Sequence, residues 1–91
     1  MTIRNERELE RVLKALANKR RLVALAFIAS KKEGSVGEIS EHIKLSFKAT
    51  SKHLAVLFHA GILDKEQRSA QMFFLLSRDL PEAAARILKL L

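Results

Sequence analysis

No cysteine occurs in the sequence, which excludes disulfides, thiolate metal sites and thiol redox switching. A single proline and three glycines leave no Gly/Ser-rich linker and no glycine-rich phosphate loop. With no low-complexity tract or internal repeat either, residues 1–91 read as one domain. Long apolar stretches are missing too. The longest unbroken run, LVALAFIA at residues 22–29, falls far short of the ~20 residues of a membrane span. The start, MTIRNERELER, is too charged for a signal peptide. The expectation is a soluble, cytoplasmic protein with no membrane partner.

Positive charge is plentiful. Seventeen Lys and Arg against ten Asp and Glu give a formal net charge of +7 and a pI near 10.3. Such a balance favours polyanions, either nucleic acid or an anionic membrane surface, although a merely solvated basic surface gives the same count. The 48% hydrophobic and 30% charged residues are those of a globular chain, not a disordered one. A chain of this length builds one modest core and gains from dimerisation.

The first helix is expected over residues 3–17. Leu9, Val12, Leu13, Leu16 and Ala17 follow the i, i+3, i+4, i+7, i+8 pattern of an amphipathic helix. The mixed Arg, Lys and Glu residues between them form a solvated face. Asn18 caps a second helix over residues 19–30, whose nearly all-apolar centre makes it the central buried helix. Lys31, Lys32, Glu33 and Gly34 form a polar break. Ser35 and Glu38 then stand at capping-box spacing, and Val36, Ile39 and Ile43 line one side of a short third helix.

Only Lys44 and Leu45 separate that helix from Ser46, a good N-cap for a fourth one, and Gly61 is a good stop. At 100° per residue, Thr50, Leu54 and Leu57 share one side of this helix, flanked by Phe47, His53 and Phe58. Lys48, Ser51, Lys52, Ala55 and His59 occupy the other. A short helix, a tight turn and a longer helix with a small, basic outer face are the parts of a helix-turn-helix. An ordinary helical hairpin in a bundle has the same spacing.

The segments ILDKE and QMFFLL are two strand candidates, with Gln67, Arg68, Ser69 and Ala70 as the connecting loop. A helix-turn-helix followed by a β-hairpin is a winged helix. The fold class is therefore mainly α, with about five helices and a two-stranded wing. In the last segment Asp79 and Glu82 stand at capping spacing, with Pro81 in the first turn. Apolar stripes on both terminal helices, over residues 3–17 and 80–91, exceed what one side of a small core absorbs, so they point to a homodimer. Leu9, Val12, Leu13 and Leu16, with Leu80, Ala84, Ile87, Leu88 and Leu91, are its candidate interface.

On the outer face, Lys48 and Lys52 can donate to phosphate or to guanine O6/N7, and phosphate suits a flexible point charge better. Ser51 can bond phosphate or a base edge. Phe47 tilts towards the packed side, so core or rim packing is favoured over contact with a thymine methyl. His53 reads as a packed, hydrogen-bonded histidine, and His59 as an exposed one near the helix end. A metal site is not expected, because His53 and His59 point to different sides of the helix. No catalytic constellation is visible, so the chain is not expected to be an enzyme or to carry a cofactor.

The stretch from Leu13 to Leu76 resembles the ArsR-type winged-helix transcriptional regulators. The resemblance rests on an S-x-x-x-x-S-x-H-L-x-x-L-x-x-A-G core, carried by Ser46, Ser51, His53, Leu54, Leu57, Ala60 and Gly61. An A-x-x-x-R-L segment, carried by Ala17, Arg21 and Leu22, supports it. The resemblance implies a homodimer joined through its first and last helices, with the fourth helix in the DNA major groove. Phe47, Lys48, Ser51 and Lys52 are then nearest the base edges, and Gln67 and Arg68 are wing contacts. Metal sensors of this family carry a cysteine motif on the third helix; here SVGEIS replaces it, and the last helix has no histidine. The glycine usual in the turn is Lys44, and the wing tip also lacks glycine. The functional expectation is a repressor that binds a pseudo-palindromic operator and does not sense metal through these sites. The alternatives are a winged-helix module for protein–protein contact and a sequence-neutral architectural DNA binder.

Overall fold

The computed structural model describes residues 5–91, so the part of the first expected helix at residues 3–4 lies outside the described residues. Helix α1 covers Glu6–Leu16 and α2 Lys19–Lys31, then β1 Gly34–Ser35, α3 Val36–Ile43 and α4 Phe47–His59. Strands β2 Leu63–Arg68 and β3 Gln71–Leu76 and helix α5 Glu82–Leu88 complete the chain.

Local chemistry sets most of these boundaries. The Asn5 side chain accepts from the Glu8 N–H, and the Asn18 side chain accepts from the Arg21 N–H. Ser35 and Glu38 form the full capping box at the start of α3. Ser46 Oγ accepts from the Ala49 N–H at 3.1 Å and opens α4. Each satisfies a donor that the first helical turn leaves free. Gly61, at φ +78°, takes the left-handed conformation that ends α4.

The wing is wider and its turn tighter than the hairpin read from sequence. The sheet has three strands in the order β1-β3-β2, all antiparallel, because Gly34 and Ser35 pair with Phe74 and Phe73. Gly34 fits there because it has no side chain: a Cβ would lie 3.1 Å from both Ile39 and Phe27. The β2–β3 register runs from Leu63↔Leu76 to Arg68↔Gln71. Gln67 and Arg68 are thus strand residues, and only Ser69 and Ala70 form the turn, with Ser69 at φ 52°.

The last helix also differs from its expected form. Asp79 does not cap it; the N-cap is Pro81, without a side-chain cap bond, and α5 spans Glu82–Leu88 rather than residues 80–91. The physical reason is the proline, which steers the preceding Leu80 away from helical angles and itself sits at φ −56°, ψ 141°.

All five helices and the sheet contribute to one core. Val12, Ala24, Leu25, Ile28, Ile39, Leu54, Leu57, Ile62, Leu63 and Ala84 are all but inaccessible to solvent. Burying a Leu or Ile side chain contributes about 1.5–3 kcal/mol, so these contacts fix the packed side of α4 firmly. The centrality expected of α2 is only partly realised, since Val23 and Ala29 face outward.

Candidate nucleic-acid interface

Helix α4 divides cleanly into two faces. Thr50, Leu54 and Leu57 are buried, whereas Phe47, Lys48, Lys52 and His59 are exposed and Ser51 is half-buried. The turn before it depends on Lys44, which adopts φ 58°, ψ 49° and donates its N–H to the Ser40 carbonyl. The Leu45 N–H goes to the same carbonyl at 3.1 Å. A lysine thus does here what a glycine does more cheaply, at a cost of about 1–2 kcal/mol.

One expectation about this face is corrected. Phe47, placed by the helical wheel on the packed side, is 62% exposed. It is the first residue of α4, and most of its surface is left in solvent. Lys48 and Lys52 join no ion pair among the described residues, and Lys44 is exposed beside them in sequence. The result is a basic surface with one bare aromatic ring.

The packed side is held by residues of α2. Arg21 donates from Nε to the Ala15 carbonyl at 2.6 Å and from Nη2 to the Lys14 carbonyl at 3.2 Å. Its Nη1 lies 3.2 Å from His53 Nδ1. A guanidinium has no acceptor, so Nδ1 must accept and the ring proton must sit on Nε2. Burial pushes the His53 pKa down, and the charges of Arg21 and Arg20 push it the same way. Arg20, whose Nη1 reaches the Ile43 carbonyl at 3.4 Å, places another cation beside the turn. Sequence reasoning passed over Arg20, for which charge was the sole signal. Arg21 and His53 were visible there as motif residues, though not as partners.

In the wing, Arg68 is engaged within the protein. Its Nη1 and Nη2 each meet a Glu33 carboxylate oxygen at 2.7 Å, Nη2 also meets Glu66 at 2.9 Å, and the group lies 4.4 Å from the Phe73 ring centroid. The hydrogen bond from Arg68 lowers the Glu33 pKa, and Glu33 in turn raises that of Arg68. The Gln67 amide folds back onto the Ser69 carbonyl at 2.9 Å. Lys65, over the Phe58 ring at 4.4 Å, ties the wing to α4. The wing is therefore braced on two sides. Arg68, expected in the loop at the hairpin tip, instead ends β2 and bridges the hairpin to Glu33, in the turn between α2 and β1.

The apolar surface expected to meet a partner is smaller than the sequence indicated. Val12, Leu16 and Ala84 belong to the protomer's own core. Helix α1 packs against α5, α4 and α2, and α5 against α1 and α2, so this stripe is covered within the protomer. Leu9, Leu13, Leu90 and Leu91 are exposed, and Leu80, Ile87 and Leu88 are half-buried. An apolar groove runs between Leu13, Leu22, Ile87 and Leu91. Among the described residues no cluster of three His, Asp or Glu could hold a metal ion, and no helix is long and apolar enough to cross a membrane.

The profile of bacterial regulatory proteins of the arsR family matches residues 18–65, from the cap of α2 through the start of the wing. The chain belongs to the ArsR family. Within it, the transcriptional activator HlyU of Vibrio cholerae is 41% identical over 66 residues, covering 72% of this chain and 60% of the activator. The biofilm growth-associated repressor of Agrobacterium fabrum is 36% identical over 80 residues, covering 88% of this chain and 65% of the repressor. The match thus spans less than two thirds of either relative. The structure of reduced HlyU superposes with a TM-score of 0.80 at 34% identity, covering 94% of this chain and 86% of that one. A domain from Mycobacterium bovis, described as a homodimeric winged helix-turn-helix DNA-binding domain, gives a TM-score of 0.77 at 26% identity. That match covers 99% of this chain and 85% of the other. This ArsR-family chain thus has the winged helix-turn-helix fold, and the relatives named here are described as transcriptional regulators.

Proposed function

We propose that this chain is a sequence-specific repressor that binds double-stranded DNA as a homodimer. The observation that carries the reading is the division of α4. One face is locked into the core, and the other presents Phe47, Lys48, Ser51 and Lys52, with no acidic partner for either lysine among the described residues. Lysines on such a face neutralise phosphates, while the small Ser51 lets the helix approach the base edges. The wing contacts the backbone through Gln67 and the Ser69–Ala70 turn, with Arg68 holding the hairpin in place.

The protomers join through Leu9, Leu13, Leu90 and Leu91, flanked by Leu80, Ile87 and Leu88. The homodimeric Mycobacterium bovis neighbour supports self-association, and the exposed leucines supply the apolar surface for it. Two-fold symmetry then calls for a pseudo-palindromic operator with half-sites about 10 base pairs apart. Repression follows from a promoter occluded by the bound dimer. The name of the Agrobacterium fabrum relative supports that direction; the name of HlyU supports the opposite one.

Two measurements test the reading. Selection from a random duplex pool should enrich a two-fold symmetric sequence with that spacing, and sedimentation should give a dimer. A reporter placed behind the enriched sequence should fall when the protein is expressed. A rise would make it an activator, and no enrichment would remove sequence-specific binding.

A further inference from the structure

We infer that Phe47 is a specificity-determining residue that reads the 5-methyl group of thymine in the major groove. The inference rests on the proposed placement of α4 and deepens it. Phe47 is 62% exposed, at the first position of a helix whose N-cap, Ser46, fixes its start through the Ala49 N–H. Folding gains little from a phenylalanine there, because the ring leaves most of its apolar surface in water. The ring pairs with no other aromatic group or cation among the described residues.

Its surroundings define the partner. Lys44 precedes it, Lys48 follows it and Lys52 lies one turn further on, and none of the three is in an ion pair among the described residues. Such a setting attracts a polyanion, and the exposed ring requires that the polyanion also offer something apolar. In the major groove of duplex DNA, the base edges present hydrogen-bonding atoms with one apolar exception, the thymine C5-methyl. A lysine-flanked phenylalanine on a groove-sized helix matches that pattern of anionic rails and an apolar knob. Serine or lysine at position 47 would keep the phosphate contacts but lose this discrimination.

Uracil differs from thymine in duplex DNA by that methyl alone, which makes the test clean. A binding duplex is first enriched from a random pool with the full chain. Each thymine of its half-sites is then replaced singly by deoxyuridine, and affinities are measured by fluorescence anisotropy for the wild type, Phe47→Ala and Phe47→Leu. For the wild type, at least one replacement in each half-site should weaken binding about fourfold, the equivalent of one methyl group. Phe47→Ala should bind the thymine and deoxyuridine duplexes equally, and Phe47→Leu should retain part of the difference. Because the ring is exposed, both variants should melt as the wild type does.

If the wild type is indifferent to every replacement, or Phe47→Ala keeps the full difference, the proposal is overturned while sequence-specific binding stands. If no duplex is enriched, sequence-specific binding fails and the proposal falls with it.

Discussion

Arg21 Nη1 and His53 Nδ1 lie 3.2 Å apart, and this contact ties the end of α1 to α4. The same guanidinium takes the Lys14 and Ala15 carbonyls, two of the acceptors that the C-terminus of α1 leaves free. One side chain thus closes a helix end and steadies the helix proposed to enter the groove.

The contact requires neutral His53, and the protein responds to acid accordingly. Burial, Arg21 and Arg20 all lower the folded-state pKa, so the unfolded chain takes up a proton more readily than the folded one. Stability from this group is fully present above the unfolded value of about 6.5 and is lost as pH falls through the lower folded value. His53→Asn keeps an acceptor near the Nδ1 position but cannot titrate. Its melting temperature should therefore fall less than that of the wild type between pH 7.5 and 5. Equal falls would contradict the assignment.

Lys44 sits at φ 58°, ψ 49°, where glycine has no Cβ penalty. Lys44→Gly should stabilise the fold by about 1 kcal/mol, seen as a melting temperature higher by about 4–8 °C. The same change removes a cation beside the turn, so DNA affinity should drop even as stability rises. A destabilised variant would show that the lysine side chain supports the turn in a way its backbone angles do not reveal.

Thr50 is fully buried on α4, and its Oγ1 has no hydrogen-bond partner among the described residues. A buried hydroxyl without a partner costs about 1–3 kcal/mol. Thr50→Val, close in shape, should raise stability by about 1 kcal/mol in denaturant titration. A loss would place an acceptor or a bound water within reach of that hydroxyl.

Arg68 bridges Glu33 and Glu66 under the Phe73 ring. If it is a brace, Arg68→Ala and Glu33→Gln should weaken DNA binding alike, by loosening the wing. The log–log salt dependence should then stay within about half a unit of the wild type. A phosphate-contacting arginine would instead lower the slope by about one unit in Arg68→Ala alone.

The helical part of the fold was legible because its signals are local. Asn18, Ser35, Ser46 and Gly61 mark helix ends by their own chemistry, and each does so in the structure. What escaped depends on distant partners. Strand β1 exists because Phe73 and Phe74 pair with it, and no pattern in the two residues Gly34 and Ser35 shows that. The bridge from Arg68 could not be read because Glu33 is 35 positions away in sequence. Val12, Leu16 and Ala84 read as surplus surface because a helical stripe does not say whether its own core or a partner covers it. Phe47 fell on the wrong side because a helical wheel does not say how much of a side chain is left in solvent. Helix α5 began late because the effect of Pro81 on Leu80 outweighed the Asp79–Glu82 spacing.

The central claim is that α4 is the helix that enters the groove, with Lys48 and Lys52 anchoring it on phosphates. Fluorescence anisotropy on an enriched duplex and its scrambled counterpart, at two salt concentrations, tests it most directly when Lys48→Ala/Lys52→Ala is run beside the wild type. The wild type should prefer the enriched duplex, and the double variant should bind more weakly with a salt slope lower by about two units. Unchanged affinity and slope in a variant that melts as the wild type does would contradict the account and turn this face of α4 towards a protein partner.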